Sequence, residues 1–287
     1  MKASFEGSMR FFFLIGVLIG SLIVFYILLG VAAYSQEISL LINPLVVAVL
    51  KDVLGPVSAG FGGAIAGAYG AYFLQRKSES DKESRIDAST LHRAIILFGD
   101  KLNDLLSIKK YNIHPYQNSE IRFLEIPKIS PRPSVQDQLD TRIIDILIAM
   151  NLSAHLDIVK IAGFRYSACF ENFSNRNQML DEYRELLHTS EFRKETGVSL
   201  DDIASVVNPG RLIAICAMTE QTLEVLDEAL QSLKEATDLL ADAFEAKFKG
   251  SGTRGVRMVF SDADIYLAPV PKPYFDTERL KAYFRRR

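Results

Sequence analysis

The sequence predicts a mainly α protein: a two-span transmembrane helical hairpin, then a cytosolic helical bundle carrying a small β-hairpin element. Three observations predict it. Residues 11–34 form an unbroken uncharged run. Residues 55–74 form a second uncharged run, rich in glycine and alanine, with Gln75, Arg76 and Lys77 directly after it. Beyond residue 75 the apolar positions recur in steps of three and four, the signature of helices with one buried face.

At about 1.5 Å per residue, Phe11 to Tyr34 is long enough to cross a hydrocarbon core of about 30 Å with some tilt. It contains Gly16 and Gly20, a pair at the spacing that lets helices approach closely in lipid. Its rival reading is a cleaved signal peptide, with Lys2 and Arg10 before it and Val31-Ala32-Ala33 as a cleavage site. The run is longer than the ~7–15 residues of a signal h-region. Residues 1–10 form the N-terminal flank and 35–52 the connection. Residues 38–54 read either as an interfacial helix or as the start of the second helix, since Pro44 and Gly55-Pro56 both interrupt that stretch.

The second span, 53–74, has an unusual surface. Gly55, Ala59, Gly63, Gly67 and Ala71 form one row at every fourth residue. Gly62, Ala66 and Gly70 form another, and Gly60, Ala64 and Ala68 a third. Val57, Phe61, Ile65, Tyr69 and Phe73 take the remaining row. A helix of this sequence has one bulky ridge and otherwise nearly bare backbone. Such rows bring helices together in lipid, where packing drives association. The span therefore predicts packing on the first span, and self-association in addition. Lysines and arginines lie outside both runs, with only Lys51 between them, which predicts both termini in the cytoplasm.

Residues 75–287 suffice for one or two domains with real cores. Leu91, Ile95, Phe98, Leu102 and Leu105 mark an amphipathic helix ending near Lys109-Lys110. Tyr111 to Ser134 is irregular and Pro-rich, with Ile121 to Ile126 as a candidate strand. Helices are expected over 135–161 and 164–188. Short helices and turns fill 190–209, ending in Asn208-Pro209-Gly210.

The longest helix is expected over 211–249. Positions 212, 216, 219, 223, 226, 230, 233, 237, 240 and 244 alternate steps of four and three, a heptad pattern. It reads either as an antiparallel bundle helix or as an intermolecular coiled coil. Val256–Phe260 and Ile265–Ala268 predict the β-hairpin, and Phe275–Arg287 a short helix. From Lys272 onward six basic residues face two acidic ones. Arg285, Arg286 and Arg287 read as a solvated end, a contact with anionic lipid headgroups, or a contact with nucleic acid or an acidic partner.

Catalytic chemistry is not legible. Gly250 to Gly255 matches GxGxxG in letters, but a long helix precedes it and no helix follows, so it reads as a linker. His92, His114, His155 and His188 stand apart from one another and from the cysteines. Cys169 and Cys216 read as buried thiols. Asp262 and Asp264 read as turn residues before they read as cation ligands, and Asp201, Asp202 and Glu171 lack convergent partners. The expectation is a non-enzyme with no cofactor, metal or small-molecule substrate. Neither span carries an ionisable residue, which disfavours a dedicated ion carrier.

This layout, carried by Phe11 to Tyr34, the rows from Ala59 to Ala71 and the polar exit at Gln75 to Glu79, resembles the two-span membrane effectors of bacterial anti-phage defence systems. Among these it is similar to those encoded beside retron reverse transcriptases. The resemblance implies an inner-membrane effector that stays silent until triggered, then compromises the bilayer and aborts the infection. It also implies a reverse transcriptase with its RNA–DNA hybrid as partner. It carries over no individual functional residue. The competing expectation is a membrane-anchored scaffold or receptor whose cytosolic helices recruit a partner.

Overall fold

The computed structural model describes residues 55–130, 139–189, 199–260 and 263–286, with isolated positions at 20, 21, 24, 25, 27, 28 and 52. The expected first span, with Gly16, and the connection after it lie almost wholly outside the described residues, as do Asp262 and Arg287. The described elements are helices, with no strand among them, so the mainly α class is correct. The chain divides into two compact units, Met1–Glu83 and Ser84–Arg287.

The division falls inside the first long helix, α1 (Gly55–Ile108). A single π turn (Lys109–Ile113) and a 3-10 turn (His114–Tyr116) end it. Then come α2 (Arg122–Glu125), α3 (Arg142–Ala149), a 3-10 turn (Ser153–His155) and α4 (Leu156–Thr189). The rest is α5 (Leu200–Val206), α6 (Pro209–Lys247), α7 (Ala263–Leu267) and α8 (Thr277–Arg285).

In the second unit α6 is the central helix. Asn208 caps it, accepting from Gly210 N–H at 2.7 Å, and Pro209 takes the first helical position, where no N–H is needed. All ten of its heptad positions are buried, from Leu212 to Phe244. What covers them is the chain itself. The imidazole of His92 on α1 stacks on Phe244 at 4.3 Å, and Lys109 reaches Asp227, so α1 runs antiparallel to α6. Arg165 bonds Ser232 and Arg176 bonds Thr219, so α4 runs antiparallel to it as well. The seam is thus the interior of an antiparallel bundle, the first of the two readings of these positions. A second, smaller core gathers α2, the end of α4, α5, the start of α6 and α8, with Leu280 fully buried.

Three sequence expectations fail, each for a local reason. The β-hairpin does not form. Residues 256–260 form no regular secondary structure, and 263–267 are helical. Tyr266 and Leu267 are adjacent yet both pack on the core, which the strict alternation of a strand forbids. Ile121 to Ile126 is also helical over Arg122–Glu125, because Phe123 and Ile126 are both buried at a spacing of three. The helix expected over 135–161 stops at Ala149. Asn151 there has φ 59°, a left-handed turn that asparagine tolerates, and Leu152 N–H closes it onto Leu147 O at 2.8 Å. The following helix therefore starts at Leu156 and not at 164. Asn151→Val should lower stability by about 1–2 kcal/mol, the left-handed penalty of a branched side chain, while Asn151→Gly should be near neutral. Thermal unfolding of the two variants checks this.

Shorter elements show their caps directly. Ser199 and Asp202 close a reciprocal capping box on α5 at 3.2 and 3.1 Å. Asp276 caps α8 by accepting from Arg279 N–H at 2.8 Å.

Candidate functional site

In the first unit the residues of interest lie on α1. Val57, Phe61, Ile65, Tyr69 and Phe73 form the expected ridge, and all are exposed, Phe61 at 70%. A Cβ added at Gly60, Gly62, Gly63, Gly67 or Gly70 would meet nothing within 4 Å, and the same holds for Gly20. Ala71 is exposed. Gly55 and Ala59 are helical in backbone, and their side chains lie outside the described residues. Among the described residues no helix is long and apolar enough to cross a membrane. Glycine contributes almost no apolar area, and apolar area sets the transfer free energy. The polar exit begins with a Gln75–Glu79 side-chain hydrogen bond of 2.9 Å.

In the second unit, side chains that the sequence reading passed over hold the structure together. Arg176 is 2% exposed. Its guanidinium donates to Thr219 Oγ1 at 2.9 Å and to the carbonyls of Phe123, Ile126 and Pro127 at 3.3, 2.8 and 3.2 Å. Burial, with Arg184 nearby, lowers its pKa to about 10. Lys109, 3% exposed, pairs with Asp227 at 2.5 Å. Arg122, also 3% exposed, forms a fork with Glu220, one arm at 2.9 Å. A third polar cluster joins Asp87 to Arg142 at 2.7 Å and to Lys247 at 3.2 Å.

The sequence-predicted candidates do not converge on one place. His92 and His155 are half-buried, each with one ring nitrogen that is buried and unbonded, while His114 lies edge-on to Tyr266. Among the described residues no group of His, Cys, Asp and Glu could hold a metal ion. Asp202 is the N3 partner of Ser199 in the α5 capping box, and Asp201 accepts from Tyr283 O–H at 2.8 Å. Glu171 is exposed. Gly250 and Gly252 have φ of 83° and 76°, so the GxGxxG letters spell a turn leaving α6. Arg285 and Arg286 are exposed at the end of α8. Arg286 borders a shallow cleft of about 560 Å³ with Asp201, Phe275, Arg279, Ala282 and Tyr283.

Both cysteines are buried free thiols, as expected. Burial first, then the charge of Asp227, pushes the Cys169 thiol up to about 12. Burial first, then Glu220, does the same for Cys216. At pH 8 the folded chain holds roughly one thiolate in ten thousand at each site, while an unfolded cysteine of pKa ~8.5 is about a quarter ionised. Iodoacetamide labelling should therefore be more than about 100-fold slower in the folded protein than in urea, for both residues. Mass spectrometry over a time course checks it.

Comparison with protein-family models, characterised proteins and solved structures finds no match.

Proposed function

We propose that this chain is an inner-membrane effector of anti-phage defence. It is anchored by a two-span helical hairpin with both termini in the cytoplasm, and its second unit keeps it silent until triggered. The observation that carries the reading is where exposed apolar surface lies. The heptad seam of α6 is consumed inside the chain's own bundle. The ridge and glycine rows of residues 57–73 remain exposed. Helices of that surface associate by close backbone approach in lipid. Rearrangement between two packings supplies the bistable element that a switch needs. On the layout resemblance, the partner that sets the switch is a reverse transcriptase with its RNA–DNA hybrid.

Gly63→Leu and Gly67→Leu test this. Each places a branched side chain where α1 has bare backbone. Both variants should reach the membrane fraction at normal levels and lose most of the depolarisation that the parent causes on overexpression. The readout is a potential-sensitive dye. Full depolarisation by both variants would count decisively against the reading.

One observation favours a membrane-anchored scaffold as the second reading. Phe164, 73% exposed, and Ile161, 45% exposed, share one face of α4. Exposed apolar side chains of this kind suit partner recruitment. A scaffold leaves the membrane potential intact, so the same dye separates the two.

A further inference from the structure

The segment between α6 and α8 is held differently from the rest of the second unit. Gly250 and Gly252, both at positive φ, turn the chain back from the end of α6. Residues 256–260 and 263–271 then hold a single helical turn, α7, and no strand among the described residues. At one end Met258 sits in a notch that only glycine leaves open: a Cβ on Gly99 of α1 would lie 2.8 Å from Met258 Cε and 2.9 Å from its Cγ. At the other end three main-chain groups are gripped by two ion pairs. Lys109 Nζ donates to Ala268 O at 2.6 Å while paired with Asp227. The second oxygen of Asp227 accepts from Val270 N–H at 2.7 Å. Arg122, paired with Glu220, donates to Pro271 O at 2.6 Å.

These fastenings are local, one apolar at Met258 and the rest polar. Met258, Phe260, Tyr266, Leu267 and Val270 are only partly buried, and Val259 is 89% exposed. α6, by contrast, is buried along its whole seam. Segments with few buried apolar contacts open at lower free energy than the core beneath them. An ion pair buried at such a place is weak evidence for stability, and its best-attested use is to fix a register or a switch.

We propose that residues 256–260 and 263–271 are the two parts of a strap that open together, and that its closed state ties α1 to α6. Opening withdraws Met258 from the Gly99 notch and takes the Ala268 carbonyl from Lys109, so the C-terminal part of α1 loses a fastening at both places. Because α1 is also the helix that carries residues 57–73, the closed strap acts as a restraint on the effector. That last step rests on the function proposed above; the opening itself does not.

Hydrogen exchange of the full-length protein, followed by mass spectrometry, tests the opening. In the parent, peptides from 256–271 should exchange at least about tenfold faster than those from 223–244 of α6. Gly99→Leu, which evicts Met258, and Asp227→Ala, which releases Val270, should each speed the strap about tenfold more and leave α6 within about threefold. Asp227→Ala leaves Lys109 buried beside no carboxylate; if that chain does not fold, Gly99→Leu, which touches neither ion pair, decides alone. Strap and α6 exchanging at one rate, or speeding up together, overturns the proposal.

The restraint is tested by a disulfide in the Gly99→Cys/Met258→Cys chain, reconstituted in vesicles of phosphatidylethanolamine and phosphatidylglycerol. Dye leakage should be at least about tenfold slower oxidised than reduced, as expected if opening must precede rearrangement. Equal leakage from the two forms overturns the restraint while leaving the opening to the exchange result. No leakage from any form, the parent included, instead sinks the effector reading and the restraint that depends on it.

Discussion

Arg176→Ala should destabilise the second unit by about 3 kcal/mol, with urea unfolding as the measurement. The guanidinium satisfies Thr219 Oγ1 and the carbonyls of Phe123, Ile126 and Pro127, and it is the side chain that joins that loop to both α4 and α6. Alanine strands these acceptors in a site already closed to water. Each buried group left unbonded costs about 1–3 kcal/mol, and the vacated volume adds a cavity term. Against this stands relief of the burial that lowers the arginine's pKa to about 10, which offsets part of the loss and keeps the net near the lower end of that sum. Arg176→Lys should recover little. An ammonium is a point charge on a flexible stem, and it cannot reproduce a planar fork that reaches three carbonyls and a hydroxyl. A loss below about 1 kcal/mol for Arg176→Ala would mean that water fills the site and takes over the acceptors.

Arg176 also shows how much the sequence carried. Phe173, Arg176, Leu180 and Tyr183 keep the three-and-four spacing of a buried face, and all are buried. Lys109 continues the row of Leu91, Ile95, Phe98, Leu102 and Leu105 in the same way. A cation at a seam position predicts a buried charge, and that much was readable. Its partners were not. Lys109 and Asp227 are 118 residues apart, and Arg122 and Glu220 are 98 apart, and periodicity within one helix holds no information on such pairings. The rows of α6 and of residues 88–106 of α1 were legible because one face of each is buried there. The hairpin expected at 256–260 and 265–268 does not form because β-propensity depends on the neighbours that pack against a strand; here the helical core takes that place. The glycine rows of residues 55–71 were legible as a surface. Their occupant was not, since a face made for contact names no partner.

Leu230→Ala should lower the stability of residues 84–287, expressed alone, by about 2–5 kcal/mol, or roughly 6–15 °C in Tm for a domain of this size. Leu230 is fully buried at the middle of the α6 seam, so truncation leaves a cavity that two packed helices cannot close. Lys234→Ala, four residues on, should change stability by less than about 0.5 kcal/mol, because its pair with Asp238 is 44% exposed at both ends. Concentration is what separates the intramolecular seam from a coiled coil between chains. If the ten heptad positions are filled by α1 and α4 of the same chain, this fragment sediments as a monomer. Its Tm, and the Leu230→Ala decrement, then stay constant from about 1 to 100 μM. A seam shared between copies would link folding to association, and Tm would climb with concentration by mass action. Analytical ultracentrifugation and thermal scans on parent and variant therefore test the same point twice. A concentration-dependent Tm would return α6 to the surface and remove the argument that residues 57–73 hold the exposed contact surface of the chain.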